Sequence, residues 1–173
     1  MGVRSGGASL RDELLAMKIN VKLVVCRNSL DVWAAIIDAQ KHVTSRGIPA
    51  VHIEAHGIQL SDDPDDEPRF GDGAGGTLRW SEVGNWLAPI NEASGYKMML
   101  VGASCWGQAA IATTNVFSHA IPFAVCVGFS TSVSSASLRA AMVQLYWHLV
   151  VRNESFQDSL AAARLELFNK DED

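Results

Sequence analysis

Two stretches decide the reading of this chain: VHIEAHG, Val51–Gly57, and MLVGASCWG, Met99–Gly107. Each is a short apolar run that ends on a chemically competent side chain, His56 in one and Cys105 in the other. Gly57 directly follows His56, and Gly107 stands two after Cys105. Short apolar runs bounded by turn residues read as strands covered on both faces. Side chains at the carboxyl ends of parallel strands are where ligand chemistry collects in α/β sheets. If the two strands are close in the sheet, the imidazole and the thiol emerge side by side.

Working outward, Val21 to Cys26 (VKLVVC) reads as a first strand, and Leu10 to Met17 as a short helix. Ser29 is the expected N-cap of a helix from Leu30 to about Ser45, with Gly47 as its stop and Pro49 opening the next strand. The stretch from His56 to Gly76 reads as one long loop. Thr77 to Trp80 is a short strand, and Ser81 with Glu82 starts a helix to about Glu92. Lys97 to Ala103 is a strand, and a helix follows from Gln108 to about His119. Phe123 to Gly128 is a strand that leads into the Ser-rich turn Ser130 to Ser137. Helices Leu138 to Val151 and Phe156 to Phe168 close the chain. This alternation predicts an α/β fold, a mainly parallel sheet of about four main strands with helices on both faces. One domain is expected over residues 10–169, between a flexible N-terminus (1–9) and an acidic tail (170–173); 173 residues with 48% hydrophobic content suit one sizeable core.

Charge excludes some classes. Of a net −5, all is carried by Ser61 to Asp72, where Asp62, Asp63, Asp65, Asp66, Glu67 and Asp72 face only Arg69. No basic stripe offers a phosphate footprint, so nucleic acid is not an expected partner. Three cysteines, Cys26, Cys105 and Cys126, are an odd number with two in apolar runs, a reducing-compartment pattern. The N-terminal stretch lacks a signal-peptide h-region, and no apolar run approaches membrane-spanning length. A cytoplasmic protein without membrane attachment is the expectation.

Cys105 and His56 suit nucleophilic acyl transfer. A thiol just ahead of a helix is favoured as thiolate, a neighbouring imidazole takes its proton, and amides near Gly57 and Cys105 are placed to stabilise an oxyanion. The bland alternative for either residue alone is a buried thiol or a satisfied polar histidine; the coincidence of both at strand ends with glycines sets the pair apart.

The ordered pair His-Gly (VHIEAHG) and Ser-Cys-x-Gly (MLVGASCWG) resembles the caspase-like cysteine peptidases, the group of caspases, metacaspases, separase and the CHAT proteases. The likeness is nearest to the bacterial CHAT group, through the Leu-x-Trp segment and helix of TLRWSEVGNWLAPIN (77–91) and the late helix SFQDSLAAAR (155–164). It runs from about Val21 to Leu167. The resemblance implies a three-layer α-β-α sandwich and a cysteine endopeptidase that works through a thioester acyl-enzyme. Cys105 would be the nucleophile, His56 the base, and Gly57 and Cys105 the oxyanion donors, without a metal or organic cofactor in catalysis. The partners it implies are a protein or peptide substrate and a sensor or activator protein, as in the antiviral defence systems where bacterial members serve as effectors. Caspases carry Gln, and metacaspases often Asp, two residues before the nucleophile, where this chain has Ala103. Arg27 stands where caspases place an arginine that binds an acidic P1 residue. Ala103, Arg27 and Trp106 are the candidate substrate-pocket residues.

The acidic stretch invites a calcium-activation reading, but DDPDDEPRFGDG lacks EF-hand spacing, and an ordinary loop near the cleft is the simpler account. His52, Glu54 and His56 share one strand face, yet the two histidines would stand about 13 Å apart, too far for one ion. His42, His119 and His148 read as structural. Two other classes compete: a catalytically silent caspase-like scaffold, and a serine hydrolase using Ser104, which lacks the G-x-S-x-G elbow. No Gly-rich phosphate loop supports a nucleotide-binding module.

Overall fold

Burying apolar strand runs requires that their backbone groups find partners at the same time, and parallel pairing does both. In the computed structural model, which describes residues 6–44, 48–58, 67–72, 74–113 and 121–170, β1 (Ala50–Glu54), β5 (Met99–Ala103) and β6 (Val125–Gly128) form a three-stranded parallel sheet in the order β1-β5-β6. Every residue of the central strand β5 is buried. A second, antiparallel sheet intervenes along the chain: β2 (Gly57–Ile58), β3 (Arg69–Gly71) and β4 (Thr77–Arg79). The class is α/β, with a parallel sheet and helices.

The chain divides into two compact units, residues 25–132 and residues 1–24 with 133–173. In the first, α2 (Ser29–Gln40) and α3 (Trp80–Ala93) pack on each other and share one core with the sheets. Val83, Leu87 and Ile90 of α3 fall at helical spacing and are fully buried. They meet Leu100 of β5, with Val51 and Ile53 of β1 and Cys126 of β6 packed against the same cluster. Phe70 and Leu78 close it from the antiparallel sheet, and the Phe70 ring lies 4.6 Å from that of Trp80. A 3-10 helix (Gly107–Thr113) follows β5. In the second unit, α4 (Ser135–Tyr146) packs against α1 (Gly6–Ala16) and α5 (Phe156–Lys170). Leu138, Ala141, Met142 and Leu145 form its buried stripe.

Several expectations are corrected. Val21 to Cys26 is not a strand: it carries no ladder, and Val24 and Val25 are exposed at 45% and 72%. Apolar β-branched composition makes a run able to pair, but only a neighbouring strand makes it a strand. The parallel sheet therefore has three strands, not four. Helix α2 is capped by Asn28 rather than Ser29, with Asn28 Oδ1 accepting from the Asp31 N–H at 2.9 Å; Asp31 in turn accepts from the Arg27 N–H at 2.9 Å. The loop expected from His56 to Gly76 contains β2 and β3, which join β4 in the antiparallel sheet and, at two and three residues, are too short to show a strand period. Helix α4 gives way to a π turn at Trp147–Val151. Asp62, Asp63, Asp65, Asp66, the Gly47 stop and the expected helix from residue 114 to His119 lie outside the described residues. Among the described residues, no helix is long and apolar enough to cross a membrane.

Two polar clusters hold element ends. Fully buried Asn91 at the end of α3 donates to the Ile121 carbonyl at 2.9 Å and accepts from the Met98 N–H at 3.0 Å, fixing where β5 begins. After the π turn, Glu154 binds His148 Nδ1 and Arg152 Nε, each at 2.6 Å. The hydrogen bond from His148 is the main reason the Glu154 carboxyl lies below the ordinary carboxylate range.

Asn91→Ala strips partners from a buried N–H and from a carbonyl, and is expected to cost about 3 kcal/mol in urea denaturation. Glu154 has a depressed folded-state pKa, so its contribution is present above the ordinary carboxylate pKa and is lost as pH falls through the lower folded value. Glu154→Gln should thus lower the melting temperature at pH 7, and the gap to wild type should close on acidification below pH ~4.

Candidate active site

The register of the parallel sheet brings the two sequence motifs together. Glu54 of β1 is the Cα partner of Ala103 of β5. His56 and Cys105 each lie two residues further on, at the same carboxyl edge. The contact between the two chain turns is backbone to backbone: a Cβ placed on Gly57 would lie 1.7 Å from the Cys105 carbonyl oxygen and 2.9 Å from its nitrogen. Any side chain at residue 57 would collide with main-chain atoms that have nowhere to move.

His56 is steered from the other side by the antiparallel sheet. Its carbonyl accepts from the Gly71 N–H at 2.8 Å. That bond makes Gly57 and Phe70, the next pair in the ladder, a non-hydrogen-bonded pair, so the Gly57 N–H points away from β3. The His56 side chain is exposed and Cys105 is half-buried.

The turn after Cys105 is tightly built. Trp106 has φ +55°, in the left-handed region that aromatic residues avoid. Its N–H donates to the Thr131 carbonyl at 3.4 Å, Gly107 to the Ser104 carbonyl at 3.0 Å and Gln108 to the Phe129 carbonyl at 3.2 Å. The chain folds back onto the sheet so closely that a Cβ on Gly107 would meet the Gly102 oxygen at 2.1 Å, and one on Gly128 would meet the Gln108 nitrogen at 2.2 Å. Gly102 and Gly128 are themselves Cα partners across β5 and β6. A glycine inside an apolar strand run is the usual sign of close backbone approach, and Gly102 and Gly128 carry that signal in the sequence.

The remaining candidates are less central. Ala103 is buried at 1%, so its methyl group belongs to the sheet interior. Arg27 is exposed, in the segment leading into α2, where its N–H joins the Asp31 cap. Trp106 is half-buried beside Cys105. Ser104, the serine-hydrolase alternative, is 2% exposed with its hydroxyl enclosed and no hydrogen-bond partner among the described residues. A nucleophile must meet substrate, and this hydroxyl does not.

Burial shifts the titration of Cys126, Cys26 and His52. Burial raises the Cys126 thiol to about 12, and burial followed by the Asp31 charge raises Cys26. Both shifts favour the protonated thiol at neutral pH. Burial lowers His52 to about 4, so it is neutral at pH 7. Burial also raises Glu54. Among the described residues, no group of three His, Cys, Asp or Glu side chains is placed to hold a metal ion.

Gly57→Ala must push β2 away from Cys105, and is expected to destabilise the protein by about 2 kcal/mol or more. In the same protein, alkylation at pH 7.5 should lose its preference for Cys105. Equal stability and an unchanged alkylation pattern would show that the backbone contact is not what positions the edge.

No protein-family model, curated protein or solved structure matches this chain.

Proposed function

We propose that this chain is a cysteine endopeptidase of caspase-like architecture, with Cys105 as nucleophile and His56 as general base. The carrying observation is the register of β1 and β5, which sets the ends of two parallel strands side by side with Gly57 seated on the Cys105 backbone. A half-buried thiol and an exposed imidazole at one sheet edge are what acyl transfer by a Cys-His pair needs.

In this reading His56 takes the Cys105 proton, and the thiolate sulfur attacks the scissile carbonyl carbon. The oxygen of the tetrahedral adduct is stabilised by the Gly57 and Cys105 amides. Collapse breaks the C–N bond, the imidazolium gives its proton to the leaving amine, and a thioester remains on Cys105. Water, deprotonated by the same imidazole, attacks the thioester and releases the carboxylic acid with return of the proton to sulfur. No metal or organic cofactor enters these steps. In this reading Trp106, half-buried beside Cys105, walls the substrate site.

The fold proposed with this function is the three-layer α-β-α sandwich of the caspase-like group. Its natural context is an intracellular effector switched on by a sensor or activator protein, in the manner of the bacterial peptidases that its motifs resemble.

Intact-mass labelling with peptidyl electrophiles that vary the P1 residue tests the pair. Wild type should be modified once, at Cys105; Cys105→Ala should not react, and His56→Ala should react at least ~100-fold more slowly. Labelling spread over Cys26, Cys105 and Cys126 with no dependence on His56 would sink the assignment in favour of a silent scaffold.

A further inference from the structure

Trp106 differs from every other described residue with an unusual backbone. Among the described residues, four non-glycine residues have positive φ: Lys18, Tyr96, Trp106 and Asn153. Lys18 follows α1, where its N–H and that of Ile19 close on the Leu15 and Leu14 carbonyls at 2.9 and 3.0 Å. Tyr96 follows α3 and donates to the Asn91 carbonyl at 2.8 Å, and Asn153 follows the π turn. Those three are left-handed residues at the ends of helical segments, where that conformation satisfies orphan carbonyls. Trp106 ends no helix. It sits between β5 and the 3-10 helix, carries a bulky aromatic side chain poorly suited to positive φ, and immediately follows Cys105.

The same turn bears a second cost, the enclosed Ser104 hydroxyl without a hydrogen-bond partner among the described residues. Backbone strain of this kind persists only where the surroundings over-determine it. Here they do: the Thr131 and Phe129 carbonyls hold the N–H groups of Trp106 and Gln108 from one side. Gly107 is wedged against Gly102 from the other. Relaxing Trp106 to an extended or right-handed conformation would rotate the peptide that joins it to Cys105.

We propose that Trp106 is a positioning residue whose left-handed backbone aims the Cys105 thiol at the His56 end of β1. The strain is spent on orienting the nucleophile. This rests on the Cys-His reading above and adds to it a residue that acts through its main chain rather than its ring.

The test compares Trp106→Gly, Trp106→Asn, Trp106→Ala and Trp106→Val, all of which lack the indole, so that its loss cancels among them. Gly and Asn accept the left-handed region, Ala accepts it poorly and Val least. The expected order of melting temperature is Gly above Ala by about 2–4 °C, with Val lowest. Labelling of Cys105 by one peptidyl electrophile should be about 100-fold slower in Val than in Gly. Adding His56→Ala should slow the Gly and Asn variants strongly and the Val variant hardly at all, because a misaimed thiol no longer uses the imidazole. Equal melting temperatures and equal His56 dependence in Gly and Ala would overturn the proposal, a comparison that stands even if the Val variant fails to fold. If His56→Ala leaves wild type unaffected while the Gly-over-Ala order of stability holds, the dyad reading fails and the strain is structural.

Discussion

The parallel pairing of β1 with β5 is the constraint on which the rest depends. It pairs the backbone groups of a fully buried strand and places Val51, Ile53 and Leu100 in one core with α3. Because parallel strands run the same way, it also delivers both of their following residues to one edge. The step from packing to chemistry is geometric: a one-residue slip would move Cys105 off Gly57 and turn the apolar face of β1 outward.

Backbone approach rather than side-chain contact builds the edge. Gly57 against Cys105, and Gly102 with Gly107 and Gly128, let three segments of main chain lie closer than any Cβ permits. The conformational freedom of glycine opposes folding there, and the return is a turn whose amides and thiol occupy defined positions. The β2-β3-β4 meander completes the frame by holding the His56 carbonyl through Gly71 and by burying Phe70 and Leu78 beneath it. Its outward face carries Arg69 and Arg79 as direct cross-strand partners, a like-charge pair on the solvent side where screening reduces the repulsion.

Burial sorts the ionisable groups as well. Cys126 lies in the sheet with a thiol raised to about 12, and His52 is held neutral by a value lowered to about 4. Both alternate with or oppose core residues, where burial disfavours their charged forms. His56 and Cys105 lie past the ends of β1 and β5.

How much of this was legible follows from the range of each interaction. Hydrophobic patterning is local, so the runs ending at Ala55 and Ala103, a helix over Ser81 to Glu92 and two closing helices, expected over 138–151 and 156–168 and found at 135–146 and 156–170, could be read from the chain, as could His56 and Cys105 as candidates. Pairing is not local. Val21 to Cys26 has strand composition without a partner, while Gly57–Ile58 and Arg69–Gly71 are strands too short to show a period. Capping turned on one residue, Asn28 in place of Ser29, because both types serve and only the chain direction chooses. The sequence by itself determined which residues carry reactive groups and which runs must be buried, since those follow from side-chain chemistry and spacing. Only the tertiary structure decided that Gly57 rests on Cys105, that Ser104 is enclosed and that Trp106 is left-handed, because each depends on atoms brought together from distant parts of the chain.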